Sequence, residues 1–222
     1  MALLARLAKK LTAGGRKASA AQRGEVATAS EALAAELRAM PSAFKTVDIL
    51  HIVSTQVQLE HRHPPLLEAA AAHTLRGLPA YPPYALCNIT NAFARLQYYH
   101  RQLMEAVAKH FADPSMAERL QGIDISALVF AYGELQYRAG HLLETLAARL
   151  QETHLEVQIG NCASILNAYA RLSECNPKLF DALGRTIVQT EPASFQVGHI
   201  SMIMNAFAKC SMQRTPLIQL LA

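Results

Sequence analysis

A segment that recurs about every 38 residues constrains the fold more than any other feature of this sequence. Four copies align without a gap, and a degenerate copy precedes them. Each copy is followed, seven residues after its end, by an apolar pair and, in most copies, an acid, and these second signatures are spaced by 37, 39, 37 and 38 residues. The five copies are Ile52–Leu59, Ile89–Leu96, Leu128–Leu135, Ile165–Leu172 and Ile203–Cys210.

Both signatures have helical periodicity. In the first, Leu86, Ile89, Phe93 and Leu96 follow i, i+3, i+7 and i+10. Small residues flank the aromatic residue of the later copies, which would let neighbouring helices approach closely. We expect first helices near 42–59, 81–97, 123–137, 156–172 and 195–210. An all-α fold follows, a right-handed α-solenoid in which each two-helix unit completes its core by stacking on its neighbours.

The second helix of each unit shows start signals. Asn176-Pro177 and Thr215-Pro216 read as an N-cap followed by proline at the first helical position. The recurring acids Glu68, Glu105, Glu144 and Asp181 are expected in the first turn, where they complement the helix dipole.

The solenoid is predicted over 25–222, with about five units. Residues 25–40 resemble the second helix of an eroded first unit, or a cap. The last unit is incomplete, and its apolar residues are expected to bury against another chain or missing sequence. These protein-interface candidates are Leu217, Ile218, Leu220 and Leu221.

The positive charge lies at the N-terminus. The chain has a formal charge of +4, but six of its 21 Lys and Arg precede Glu25, the first acid, which leaves 15 against 17 Asp and Glu. Residues 1–24 therefore carry +6 and the remainder −2. A basic, acid-free segment with leucines on one helical face predicts a mitochondrial transit segment, and hence a place in the matrix. A basic N-terminal helix that stays on the protein is the alternative.

Other classes are disfavoured by the composition. No apolar run is long enough to span a membrane. The four cysteines, Cys87, Cys162, Cys175 and Cys210, are far apart in a long chain, so we expect reduced, buried thiols.

The aromatic-Ala-basic-Leu ending, the Leu-Leu-Glu seven residues later and the 37–39 residue period resemble the octotricopeptide and heptatricopeptide repeats over about residues 42–222. They are also similar to the helical repeats of FAST-kinase-like and RAP-domain proteins. The resemblance implies organellar RNA maturation, stability or translation, or a place in a mitochondrial ribosome. The sequence departs from these families because it leaves no room for a RAP domain, and its repeat body is not basic.

A polar column on the first helices is the candidate RNA track. Amides and cations four residues apart share one helical face, and RNA-binding helical repeats read bases with two or three side chains per repeat. A structural ladder of amides is the alternative, and Phe130 and Glu134 interrupt the column. The column comprises Asn88, Asn91, Arg95, Asn167, Arg171, Asn205 and Lys209, and basic residues of the turns, Arg62, Arg101, Arg138, Lys178 and Arg214, are candidate phosphate contacts.

No arrangement of residues indicates catalysis. The phosphate-binding glycine pattern is missing, and His61 and His63 lack a nearby third metal ligand. We therefore expect no enzyme activity, no cofactor, no metal and no small-molecule substrate.

Two classes of function remain. The near-neutral charge of the repeat body favours a non-catalytic subunit of a mitochondrial ribonucleoprotein, which contacts RNA locally and partner proteins broadly. The mitochondrial ribosome is the assembly that we favour. A stand-alone organellar RNA-binding protein acting in RNA processing or stability, and a pure protein–protein scaffold, are the alternatives.

Overall fold

The computed structural model describes residues 20–152 and 155–212. Over these two ranges all regular structure is helical and no strand occurs, which confirms the all-α fold class. The helices are α1 (Ala20–Ala39), α2 (Thr46–Gln58), α3 (Pro64–Arg76), α4 (Pro83–Arg95), α5 (Arg101–Phe111), α6 (Pro114–Ala117), α7 (Gly122–Glu134), α8 (Gly140–Arg149), α9 (Ile159–Arg171), α10 (Pro177–Gln189) and α11 (Val197–Lys209).

All five first helices are present, and their ends lie within four residues of the predicted bounds. The five helices that carry the first signature, which we call A helices, each contain 13 residues. Their starts are spaced by 37, 39, 37 and 38 residues, the same intervals as the sequence signatures. The A helices are α2, α4, α7, α9 and α11.

The other long helices, α1, α3, α5, α8 and α10, we call B helices, and α10 begins where its N-cap signal predicts. Asn176 caps α10, since its side-chain oxygen accepts from the Leu179 N–H at 3.1 Å. The α3 cap is His63, whose Nδ1 accepts from the Leu66 N–H at 3.3 Å. The predicted helix at 25–40 is also present, as α1.

Every A helix ends in the same backbone motif. The residue after the C-cap has a positive φ, between 49° and 60°, in all five cases. In α4, Gln97 N–H donates to the Ala94 carbonyl and Tyr98 N–H to the Phe93 carbonyl, both at 2.9 Å. This pair of bonds is the Schellman motif, which satisfies carbonyls that the helix leaves open. The residues with positive φ are Glu60, Gln97, Gln136, Ser173 and Ser211.

The chain divides into two compact units, Met1–Ala106 and Val107–Ala222. In the first unit, A helix α2 packs on A helix α4, and B helix α1 packs on B helix α3. Fully buried aromatic and aliphatic side chains such as Phe93, Leu86 and Leu67 fill its core. Within this unit, the two A helices therefore pack on each other, and so do the B helices α1 and α3.

In the second unit, α9 is the central A helix and packs against both α7 and α11. The expected close approach of small residues occurs here. A Cβ added at Gly133 of α7 would lie 2.9 Å from the Cβ and 3.0 Å from the Cα of Ala168 in α9. Buried Tyr132 and Tyr169 flank this contact in sequence.

Candidate nucleic-acid interface

In the first unit, the polar column forms one wall of a shallow groove between α2 and α4. Asn88, Asn91 and Arg95 contribute from α4, and Ser54 and Gln58 contribute from α2. Ser54 and Gln58 occupy the same repeat positions as Asn91 and Arg95, 37 residues earlier. The groove therefore brings together equivalent positions of two consecutive repeats.

The column in α4 also has an exposed aromatic end. Tyr84 lies one turn before Asn88 and is 48% exposed, and the Asn88 side-chain amide donates to the Tyr84 carbonyl at 2.8 Å. Asn91 is half-buried and Arg95 is exposed. The sequence analysis missed Tyr84, Ser54 and Gln58. The repeat register would have supplied Ser54 and Gln58, whereas only exposure identifies Tyr84.

In the second unit, an acid neutralises the positive charge of the polar column where α7 meets α9. The Arg171 guanidinium donates to the Glu134 carboxylate at 2.5 Å, and both side chains are about one quarter to one third exposed. Glu134 is the residue that interrupts the column in sequence. Asn167 is half-buried, and Asn205 and Lys209 are exposed on α11. Arg95 and Arg171 thus share a repeat position but differ in local charge.

The basic residues of the turns fall into two groups. Arg62 stacks over the Tyr98 ring, 5.5 Å from its centroid, and the Arg101 Nε donates to Glu105 at 2.7 Å. Arg138 and Lys178 are exposed. Arg214 and the apolar residues Leu217, Ile218, Leu220 and Leu221 lie outside the described residues, as does the basic segment 1–19.

None of the recurring acids lies in the first turn of its helix, so the first-turn interpretation is wrong, and Glu68 instead links two repeats. Glu68 is the fifth residue of α3, and its carboxylate accepts from the Tyr98 hydroxyl at 2.5 Å and lies 3.3 Å from the His100 Nε2. Glu31, which precedes Glu68 by 37 residues, lies 3.2 Å from the His63 Nε2 in the same way. The carboxylate of one B helix therefore holds the segment that starts the next.

The histidines that contact these acids also cap helices. His63 and His100 each accept a backbone N–H at Nδ1 and present Nε2 to a carboxylate. The His63 side chain is only 13% exposed. Burial and the neighbouring His63 lower the pKa of His61. This cluster is structural.

Tyr98 should titrate far above an ordinary tyrosine. Burial, followed by its hydrogen bond to the Glu68 carboxylate and the charge of that carboxylate, raises its pKa to about 12 from the usual 10.0. A raised tyrosine pKa stabilises the fold fully below pH 10, and this contribution disappears as the pH rises from 10 to 12. The stability difference between the wild type and Tyr98→Phe should therefore be constant below pH 10 and shrink above it.

Tyrosinate absorbance measures this directly, because the chain has no Trp. The difference between the titrations of wild type and Tyr98→Phe isolates Tyr98. Glu68→Gln should move its midpoint down towards 10. Glu144→Gln, at the equivalent position two repeats later, is the control and should leave it in place. A Tyr98 midpoint near 10 in the wild type would contradict the Glu68 link.

The cysteine expectation is half wrong. Cys87 and Cys162 are buried and outside any disulfide, as predicted. Cys175 and Cys210 form a disulfide across 35 residues, with their Cα atoms 5.5 Å apart. The two cysteines are far apart in sequence, but the stacking of one repeat on the next places the end of α11 beside the loop that follows α9.

The described part of the chain holds no group of three His, Cys, Asp or Glu residues placed to bind a metal. Among these same residues, no helix combines the length and the hydropathy that crossing a bilayer requires. No protein-family model matches the chain, and no curated protein sequence matches it either. The resemblance to organellar helical repeats therefore stays a prediction.

Proposed function

We propose that this chain is a non-catalytic, helical-repeat subunit of a mitochondrial ribonucleoprotein, with the mitochondrial ribosome as the first assembly to test. The observation that supports it best is the groove between α2 and α4, where Asn88, Asn91 and Arg95 line one open surface with Ser54 and Gln58. Amide, hydroxyl and guanidinium groups are concentrated there without a nearby catalytic arrangement. We propose that this groove is the local RNA contact.

The chemistry of the groove suits unpaired bases. Amide side chains can pair with the edges of bases, and single-stranded RNA exposes those edges. An exposed tyrosine such as Tyr84 offers a ring on which a base can stack. The Arg95 guanidinium, one turn beyond Asn91, supplies a cation for a phosphate. The proposed ligand is therefore a short single-stranded segment.

The charges favour a subunit over a stand-alone RNA-binding protein. Phosphate neutralisation supplies most non-specific affinity for nucleic acid. Outside residues 1–24 the chain is net acidic, and Arg171 and Arg101 are already paired with Glu134 and Glu105. This charge balance fits a subunit that contacts RNA locally and partner proteins broadly. We propose that the partners are other protein subunits and that residues 1–24 direct import to the matrix.

The proposed architecture is a right-handed α-solenoid of units of about 38 residues. Three observations support it: the constant spacing of the A helices, their identical Schellman ends, and the packing of α2 on α4 and of α9 on α7 and α11.

Arg95→Ala should weaken binding to a random single-stranded RNA pool, because it removes a phosphate contact. The slope of log affinity against log salt should fall by about 0.7, the value for one contact with a single strand. Asn91→Ala and Tyr84→Ala should weaken binding without changing this slope, since an amide and a ring contact bases. Fluorescence anisotropy over a range of salt concentrations measures all three.

Arg171→Ala is the matched control, because Arg171 occupies the same repeat position but pairs with Glu134. It should leave RNA affinity and its salt dependence unchanged. Equal effects of Arg95→Ala and Arg171→Ala would place the RNA elsewhere. No effect of Arg95, Asn91 or Tyr84 substitution would favour the pure scaffold, the alternative that the Arg171–Glu134 pair supports.

Purification of the tagged protein from mitochondria tests the assembly. Ribosomal RNA and ribosomal proteins should accompany the wild type. Their absence from a preparation that still contains other mitochondrial RNA would favour the stand-alone RNA-binding protein, and absence of the tagged protein from the organelle would overturn the matrix assignment.

A further inference from the structure

The disulfide between Cys175 and Cys210 lies at an accessible place in the second unit. Cys175 follows α9 and Cys210 is the C-cap of α11. Both residues are partly exposed. Cys175 also lines an open groove that includes Tyr169 and Lys178. A small thiol in solution can therefore reach this disulfide.

Cys175 lies next to the N-terminus of one helix, and Cys210 lies at the C-terminus of another. Cys175 directly precedes Asn176, the N-cap of the 13-residue helix α10, and the positive end of a helix dipole favours a thiolate. Cys210 ends α11, where the dipole disfavours one. Of the charged residues in the groove, Glu144 and Glu174 disfavour a thiolate on Cys175, and Lys178 favours one. The expected difference in reactivity between Cys175 and Cys210 therefore depends on the helix ends and not on these charges.

We propose that Cys175 and Cys210 form a thiol–disulfide exchange site for a small monothiol of the glutathione class, with Cys175 as the reacting sulfur and Cys210 as the resolving one. In the oxidising direction, the Cys175 thiolate attacks one sulfur of glutathione disulfide and forms a mixed disulfide, releasing one glutathione thiolate. Cys210, after losing its proton, attacks the Cys175 sulfur and releases the second glutathione. Two protein thiols are oxidised and one glutathione disulfide is reduced to two glutathiones. Reduction follows the same steps in reverse.

The other two cysteines are protected from this chemistry. Cys87 and Cys162 are buried. Burial also raises the pKa of the Cys162 thiol to about 12, so little of the reactive thiolate forms at neutral pH. Exchange is therefore confined to one pair, and the two buried thiols serve as internal controls.

The exchange would control how α11 is held. The disulfide ties the end of α11 to the loop between α9 and α10, and it closes a segment of 35 residues. Reduction removes this link while the packing of α11 on α9 remains. Backbone amides of α11 should then exchange with deuterium faster in the reduced protein than in the oxidised one, while those of α7 should not change.

The test equilibrates the full chain with mixtures of glutathione and glutathione disulfide, followed by acid quenching, alkylation and peptide mass spectrometry. The Cys175–Cys210 pair should pass from oxidised to reduced as the proportion of glutathione rises, and Cys210→Ser should accumulate a mixed disulfide on Cys175. In the reduced wild type, which needs no substitution, iodoacetamide should alkylate Cys175 at least about tenfold faster than Cys210 and leave Cys87 and Cys162 unmodified.

Three results would overturn the proposal. The pair could stay oxidised in a large excess of glutathione, as a purely structural disulfide would. Cys210 could be alkylated faster than Cys175. The mixed disulfide could form on Cys87 or Cys162. None of these outcomes depends on RNA binding, so the proposal stands or falls separately from the proposed function.

Discussion

Replacing Arg149 with alanine should lower the free energy of unfolding by about 3 kcal/mol, because its buried guanidinium holds three groups at once. Arg149 is 8% exposed. One of its terminal nitrogens donates to the Glu118 carbonyl at 3.3 Å and to the Leu120 carbonyl at 3.5 Å, and the other donates to the Glu152 carboxylate. Alanine would leave those carbonyls without this donor at a site largely closed to water.

Urea denaturation followed by circular dichroism measures the loss. Arg138→Ala is the control, because Arg138 is exposed in the same unit and its replacement should change stability by less than about 0.5 kcal/mol. Arg149→Lys should recover part of the loss, since an ammonium keeps the charge but lacks the guanidinium fork. Equal, small effects of the two alanine substitutions would show that Arg149 does not join α8 to the segment after α6.

Arg149 also marks a limit of prediction from sequence. Periodicity placed the A helices to within four residues, because an amphipathic repeat specifies which face of each helix is buried. It gives no information about an arginine at the end of α8, which in isolation resembles a solvated C-terminal cation. Its role depends on where the chain after α6 passes, which no residue of α8 specifies.

The candidate site was predictable to a similar degree. Spacing identified Asn91 and Arg95 as neighbours on one face, and the structure places them in one groove. It could not separate Arg95 from Arg171, because the pairing of Arg171 with Glu134 is a contact between two A helices, 37 residues apart. The repeat register contained this information, since Glu134 occupies the position of Arg171 one unit earlier.

The link from Glu68 to Tyr98 and His100 shows why local rules mislead in a repeat. An acid near a helix start suggests a dipole effect when one helix is considered alone. In the structure, Glu31 and Glu68 each contact a histidine 32 residues later. At these two positions the acid holds the histidine of the next unit, and this role appears only when two units are compared.

Close helix packing in the second unit predicts opposite effects for the same substitution at two glycines. Gly133→Ala should destabilise the protein, because overpacking costs about 1–3 kcal/mol. The higher helix propensity of alanine should offset up to about 1 kcal/mol of that loss. The new methyl group would lie 2.9 Å from the Ala168 Cβ and 3.0 Å from its Cα, so a helix backbone, and not a flexible side chain, would have to move. Gly133→Val should cause a larger loss.

Gly24→Ala is the matched control, because Gly24 lies inside α1 and nothing comes within 4 Å of an added Cβ. Only the propensity term remains there, so this substitution should stabilise the helix by up to about 1 kcal/mol. Urea denaturation of both variants gives the two signs directly. If Gly133→Ala also stabilised the protein, α7 and α9 would be further apart than the structure places them, and the small residues of the repeat would reflect helix propensity alone. Opposite signs would show that these residues are selected by the contact between successive A helices, the contact on which the proposed solenoid depends.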